Sequence, residues 1–287
     1  MNARIYILFI CSMLAVSTSP IIARYLYHID PISISFWRMF IGGMILVIYG
    51  FFSKIESISN DNKYKTYIAG LLLGLHFALF YGAISLLPNN ITNATVFGTL
   101  APLFTLILEF YFGRKIRFRL VMGLLIVLFG SLIMFIYDFS LSSNLTQGNI
   151  LAILCSVCFA VIFILSEKVR EKDSAISFSR AIFLYASLTL LFIAIMFKVP
   201  LFSITFHDFM FLLFLGIVPT LIGHSVFYYL TKHLSPIIVS SIPLGEPFIA
   251  SIFAWYLFPG QVLNTSIIIG GMITLFGLFI IIQNKKI

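Results

Sequence analysis

Apolar residues fall along this chain in blocks of membrane-spanning length, separated by short polar stretches. A helix needs roughly 20 apolar residues to cross a hydrocarbon core, because every backbone polar group must be satisfied inside its own segment. About ten runs meet that requirement, near Ile5 to Ala23, Ile34 to Phe52, Tyr67 to Leu87, Ile91 to Phe112, Phe118 to Tyr137, Asn149 to Ser166, Phe178 to Phe197, Phe209 to Leu230, Pro236 to Phe258 and Ser266 to Ile282. The pattern predicts an all-α polytopic membrane protein with short loops, whose chemistry lies within the bilayer or at its faces. The first run, preceded by Arg4 and containing the small residues Ala15 to Ser19, shares features with a cleaved secretory signal. Its length, and its membership of an internal repeat, predict a retained helix instead.

That repeat relates the two halves at an offset of about 142 to 147 residues. Ile10-Cys11-Ser12 returns as Leu154-Cys155-Ser156, Ser35-Phe36-Trp37-Arg38 as Ser177-Phe178-Ser179-Arg180, Phe80-Tyr81 as Phe227-Tyr228, and Leu128-Phe129-Gly130 as Leu275-Phe276-Gly277. Arg24 likewise matches Lys168. The expected units are residues 1–143 and 144–287, with five helices each. An odd number of spans sends the two copies into the bilayer from opposite sides, so the sequence predicts ten transmembrane helices as two inverted five-helix repeats rocking about a central site.

Composition agrees: 61% hydrophobic and 10% charged residues, with a mean hydropathy of +1.09, exclude an ordinary soluble domain. The net charge of +8 sorts by side of the membrane rather than marking a nucleic-acid grip. With the N-terminus inside, only Arg24 and Lys198 of the 18 basic residues face out, and Arg38 and Arg180 lie within or at the edge of spans. Both termini are therefore expected in the cytoplasm, with the chain in the inner or plasma membrane.

Charges deep in the bilayer carry more information, because each costs ~2.5 to 3.5 kcal/mol unless it finds a partner or water. Glu246 lies mid-span in Ile242-Pro243-Leu244-Gly245-Glu246-Pro247, where two prolines free backbone carbonyls beside the charge. The corresponding Gly98-Thr99-Leu100-Ala101-Pro102 also interrupts its helix, so matched breaks point to a cavity near the midplane. Glu246 is either a functional acid, which makes a proton a candidate coupling ion, or a cap for freed backbone donors. Glu109 reads as an interfacial partner of Arg114 and Lys115. Arg38 is either an anchor near a helix end or the partner of an acid. His224, after Pro219-Thr220 and Gly223, is a candidate for anion binding or proton relay and equally for a helix–helix hydrogen bond, with His76 second to it. Tyr81 and Tyr228 line a cavity or simply pack. Ser17, in Ser17-Thr18-Ser19-Pro20, offers a hydroxyl beside a helix break or a bond across helices. Cys155 and Cys158 share one helix face in an apolar span without further ligands, so helix packing is expected there and no metal or cofactor. No phosphate-binding loop, H-E-x-x-H or G-x-S-x-G occurs.

Several of these segments together resemble the EamA family of the drug/metabolite transporter superfamily: Ser17-Thr18-Ser19 ahead of Ser35-Phe36-Trp37-Arg38, Pro102-Leu103-Phe104 leading to Phe112-Gly113, and Leu244-Gly245-Glu246-Pro247 leading to Trp255-Tyr256-Leu257. The resemblance implies two repeats, cytoplasmic termini, and a cavity walled by helices 1 to 4 and 6 to 9, in a secondary carrier or exporter of amino acids or similar metabolites. Gly113-Arg114 and Gly260-Gln261 depart from the Gly-Glu that the family often places after helices 4 and 9. The expected function is alternating-access transport of a small polar or amphipathic metabolite. The alternatives are an exporter of lipid-like or drug-like compounds, and an intramembrane enzyme or scaffold that does not transport. An enzyme needs a nucleophile with its base or a metal cluster at one depth, and a scaffold has no use for matched helix breaks.

Overall fold

The computed structural model describes residues 3–87, 91–135 and 143–284, and every regular element among them is helical. In chain order these are α1 (Ala3–Val16), α2 (Ser19–Tyr25), α3 (Pro31–Phe52), α4 (Asn60–Leu86), α5 (Ile91–Gly98), α6 (Ala101–Tyr111), α7 (Phe118–Phe135), α8 (Ser143–Arg170), α9 (Ala175–Met196) and α10 (Phe206–Leu215). A π-helical segment, Gly216–His224, joins α10 to α11 (Ser225–Leu230). A 3₁₀ turn, Ile242–Gly245, lies between α12 (Pro236–Ser240) and α13 (Glu246–Leu257), and α14 (Thr265–Ile282) closes the order. Eight rods among the described residues are long and apolar enough to cross a membrane, and Val96–Tyr111 and Phe118–Met134 form two shorter apolar ones.

Helix ends follow local chemistry more than hydropathy. The third run is expected from Tyr67, yet α4 begins at Asn60, where Asp61 in the first turn complements the helix dipole. The sixth is expected to end at Ser166, yet α8 continues to Arg170, with Lys168 and Arg170 suited to its C-terminal end. Polar residues stop an apolar run without stopping a helix. Asp30 caps α3 by accepting from the Ile32 N–H at 2.8 Å, ahead of Pro31, whose missing N–H costs nothing there. Gly113, with φ of 72°, lets the chain leave α6 through a left-handed turn.

Small residues permit the closest helix contact. A Cβ added to Gly130 of α7 would stand 2.6 Å from the Gly270 carbonyl oxygen of α14, and one added to Gly277 would stand 2.6 Å from Val127. Without side chains at these points the two backbones approach directly, the usual device in lipid. Elsewhere α3 lies along α9, α4 along α8 and α9, and α1 along the π-helical segment, while α6 touches α12 and α5 touches α13.

Loop contacts gather at two faces. At one, the Arg4 guanidinium lies 5.5 Å from the Tyr229 ring, Lys172 pairs with Asp61 at 2.6 Å, and Arg180 donates to the Glu56 carbonyl at 3.2 Å. At the opposite face His28 bonds Asp208 at 3.1 Å, the Trp37 indole donates to the Leu201 carbonyl at 2.7 Å, and Tyr25 stacks on Phe211 at 5.1 Å.

Candidate functional site

Arg38, on unbroken α3, is the largest fully buried side chain among the described residues, only 1% exposed. Its Nε donates to Thr220 Oγ1 at 2.8 Å, and its Nη1 donates to Ser19 Oγ at 2.8 Å and Tyr81 Oη at 3.2 Å. The Ser19 and Tyr81 hydroxyls bond one another at 3.1 Å, and the guanidinium carbon lies 4.2 Å from the centre of the Phe77 ring. Three elements, α2, α4 and the π-helical segment, thus hold one cation through neutral hydroxyls and an aromatic face. No carboxylate pairs with it among the described residues, which leaves the guanidinium available to an anionic group.

The hydroxyls owe their positions to broken helices. Pro20 opens α2, and Ser19 stands at its first position, where its hydroxyl is free to meet Arg38. Pro219 sits inside the π-helical segment; there Thr220 Oγ1 donates five residues back to the Leu215 carbonyl at 2.8 Å while accepting from Arg38. A π bulge satisfies backbone that a proline disrupts, and such bulges concentrate at functional sites.

Glu246 faces the same space as Arg38. It opens α13 directly after the 3₁₀ turn, and Gly245 before it packs so closely that an added Cβ would lie 2.3 Å from Met13 Sδ. Both lie on the wall of a cavity of about 30 Å³, together with His76, His224, Phe159 and Thr99. That space holds about two water molecules. Neither a hydrogen bond nor an ion pair to Glu246 is formed among the described residues.

Both intramembrane histidines reach this cavity and differ in their bonds. His76 Nδ1 lies 2.9 Å from the Cys155 carbonyl; a carbonyl only accepts, so Nδ1 carries the proton. His224 is held among Phe77, Phe159 and Phe227 at 5.2, 5.5 and 5.3 Å, and its buried Nδ1 has no partner. Arg38, Glu246 and His224 share the cavity and Tyr81 bonds Arg38, whereas Ser17 and Tyr228 stand apart. The Ser17 hydroxyl is spent on the Met13 carbonyl of its own helix at 2.7 Å. Tyr228 packs on Phe178 at 5.0 Å with its buried hydroxyl unpaired. Thr220 and Phe77 were missed, and Ser19 was passed over for Ser17; the prolines next to Ser19 and Thr220 were the available signal.

Two larger cavities flank the centre. One of about 430 Å³ opens at the opposite face among Arg24, Tyr27, Ile34, Ser85 and Phe258, and reaches Tyr81. The other is about 330 Å³, near Arg114, Lys115, Glu171 and Ile237, and neither shares a lining residue with the central one. At its base Arg114 pairs with Glu167 at 2.5 Å and Glu109 at 3.6 Å, and the Ile237 N–H donates to Glu109 at 3.4 Å. The bond to the Glu167 carboxylate raises the Arg114 pKa above its ordinary value, so the guanidinium stays charged. The C-x-x-C cysteines are free, and Cys155 and Ser156 reach the Gly98 and Phe97 carbonyls at 3.8 and 2.7 Å, joining α8 to the α5–α6 break.

Fold and site define a helical integral membrane protein with a charged, aromatic-walled pocket at its core. The chain belongs to the EamA-like transporter family, whose model matches residues 3–136 and 146–283. An uncharacterized transporter of Archaeoglobus fulgidus is 24% identical over 88% of this chain and 86% of its own length. The uncharacterized transporter YoaV of Bacillus subtilis is 24% identical over 88% of both chains. An S-adenosylmethionine uptake transporter of Rickettsia bellii is 24% identical over 59% of this chain and 57% of its own. One solved crystal structure superposes with a TM-score of 0.80 over 98% of both chains at 16% identity, a likeness of fold.

Proposed function

We propose that the chain is a secondary carrier of a small charged metabolite, in which two inverted five-helix units, residues 1–143 and 144–287, alternate access to the Arg38–Glu246 pocket. The observation that carries this reading is the buried Arg38, bound by hydroxyls and facing Glu246 across a water-sized space. A buried cation and an acid left unpaired are costly in lipid unless a substrate or proton completes them. The packing supports inversion, because exchanging each helix for its repeat-mate reproduces the same contacts: α4 with α8 becomes α1 with the π-helical segment, and α3 with α9 and α7 with α14 map onto themselves. Tyr81 and Tyr228 support alternation. Tyr81 separates the 430 Å³ cavity from Arg38, while its mate is sealed in aromatic packing.

With the Arg4 face in the cytoplasm, the 430 Å³ cavity opens outward, the centre is closed, and the Arg114, Glu109 and Glu167 cluster lies on its inner side. Charged walls favour a small ionic or zwitterionic substrate over a lipid-like one. S-adenosylmethionine, named for the Rickettsia relatives, has a carboxylate suited to Arg38 and cationic centres suited to Glu246. The test is uptake into proteoliposomes from a pooled metabolite mixture that includes it, with and without a pH gradient. Accumulation lost in Arg38→Met supports the reading; no substrate above protein-free vesicles under either condition refutes it.

A further inference from the structure

A cation set against an aromatic ring recurs at matched positions of the two repeats, and one of the two pairs lines a cavity. Arg24, at the C-terminal end of α2, lies with its guanidinium carbon 4.3 Å from the Phe258 ring, in the wall of the 430 Å³ cavity. Lys168, its repeat-mate, lies 5.2 Å from the ring of Phe112, and Phe112 is the repeat-mate of Phe258 at an offset of 146. Neither cation forms an ion pair among the described residues. A guanidinium stacked on a ring offers its edge donors to a planar anion. Positive charge on the outer side also runs against orientation, so Arg24 is held there at a cost that topology does not explain. Behind it the wall is apolar, with Leu26, Ile34 and Ile84, and its floor is Tyr81, bonded to Arg38.

We propose that the outer cavity is a recruiting site for soluble organic anions: Arg24 takes the carboxylate, the apolar wall takes the rest of the molecule, and Tyr81 separates it from Arg38. The inference rests on the carrier reading for its orientation. The volume suits a small metabolite, since ligand pockets run to about 300–1,000 Å³. The Lys168–Phe112 pair is the repeat-mate of this arrangement and lies outside the wall of the 330 Å³ cavity.

The test reads occupancy without translocation. Ser85→Cys, in the wall of this cavity, is labelled in phosphatidylcholine vesicles with a membrane-impermeant maleimide, and labelling of the parent chain is subtracted. Phenylacetate is the probe, with uncharged phenylacetamide as its isostere. At about ten times the dissociation constant, phenylacetate is expected to slow labelling about tenfold. Arg24→Gln is expected to abolish the protection, Arg24→Lys to keep part of it, and Lys168→Gln to leave it unchanged. Equal protection by the amide, protection that survives Arg24→Gln, or absence of protection would overturn the proposal. Slow labelling in phosphatidylglycerol vesicles without probe would overturn it in favour of a lipid occupant. Metabolite uptake without protection refutes the recruiting site and leaves the carrier standing; protection without uptake of any metabolite upholds the site and refutes the carrier.

Discussion

Replacing Arg38 by Met removes a buried charge, three hydrogen bonds and an aromatic contact at a single atom cluster, and the structure predicts that folding survives. On insertion scales an arginine at mid-helix costs ~2.5 to 3.5 kcal/mol, a cost that Met does not carry. Against this stand three bonds, each worth about 0.6 kcal/mol and at most about 1.7 by measurement in membrane proteins, so the loss is about 2 to 5 kcal/mol. The partners are not orphaned: Ser19 and Tyr81 keep each other at 3.1 Å, and Thr220 keeps the Leu215 carbonyl at 2.8 Å. Methionine is flexible enough to fill the space. The two sides nearly balance, and Arg38→Met is expected to shift stability by no more than about 3 kcal/mol either way. Transport is expected to fall about 10- to 150-fold, the worth of one charge-assisted bond to an anionic substrate at about 1.5 to 3 kcal/mol. Thermal unfolding of the purified protein in detergent and initial uptake rates in proteoliposomes read the two quantities separately. Wild-type uptake would remove Arg38 from the substrate path. A collapse of stability beyond the balance would make it a structural hub.

Glu246→Gln keeps the size of the side chain and removes its charge, so expression and melting are expected to stay near wild type while transport is lost or uncoupled; Glu109→Gln, at the Arg114 cluster, is expected to be milder, and normal uptake with unchanged pH dependence in Glu246→Gln would refute this. Tyr228→Phe deletes a buried hydroxyl without a partner, which is expected to raise the melting temperature, since such a group costs about 1 to 3 kcal/mol, while slowing transport; an unchanged turnover would show that the hydroxyl has no role in the other state. Asp173 lies outside the spans: burial pushes its pKa up, but bonds from Asn62 at 2.6 Å and from the Ser59 N–H and hydroxyl at 2.8 and 2.9 Å prevail and hold it below its ordinary value. A depressed carboxyl contributes stability fully present at neutral pH and lost as pH falls through its folded value, below about 4. Melting curves from pH 7 downward are therefore expected to fall more steeply in that range for wild type than for Asp173→Asn; parallel curves would refute the assignment.

Long apolar runs made the helices legible, since lipid permits few other structures, and most run boundaries lie within a few residues of a helix end. The departures, at Asn60 in α4 and at both ends of α8, Ser143 and Arg170, come where polar residues extend a helix into the loops and hydropathy has nothing to detect. Deep charges were legible for the same energetic reason, and Arg38 and Glu246 do meet at one cavity. The hydroxyls were not. Ser17 and Ser19 differ by two positions and no chemistry; what separates them is which one stands before the break and which one opens the next helix, a matter of backbone direction.

The breaks themselves share one feature, which also accounts for the place of the Ser17 hydroxyl. Lipid tolerates irregular backbone only where freed carbonyls are satisfied or line a cavity. At the α1–α2 break Ser17 and Thr18 donate to the Met13 and Ala15 carbonyls at 2.7 Å each. Thr99 donates to Val96 at 3.1 Å between α5 and α6, Thr220 to Leu215 at 2.8 Å in the π-helical segment, and Ser240 and Ser241 to Ile237 and Ile238 at 3.1 and 2.6 Å before the 3₁₀ turn. At each of these breaks a serine or threonine hydroxyl reaches back along its own helix, adding to the backbone N–H that several of the same carbonyls already accept, as Ser35 and Thr105 also do inside unbroken helices. Every break also delivers a cavity residue: Ser19, Thr99, His224 and Glu246. The unbroken helices α3, α4 and α8 supply Arg38, Phe77 and Phe159, which need only a helix face. Residues that aim into the centre from a helix interrupted at mid-depth therefore stand at, or a few positions from, such a hydroxyl, and Thr99 is both. Thr220 reaches back along its segment with its proton and accepts from Arg38 with its oxygen, which makes the π-helical segment the point where a change at the cation is felt directly by the backbone.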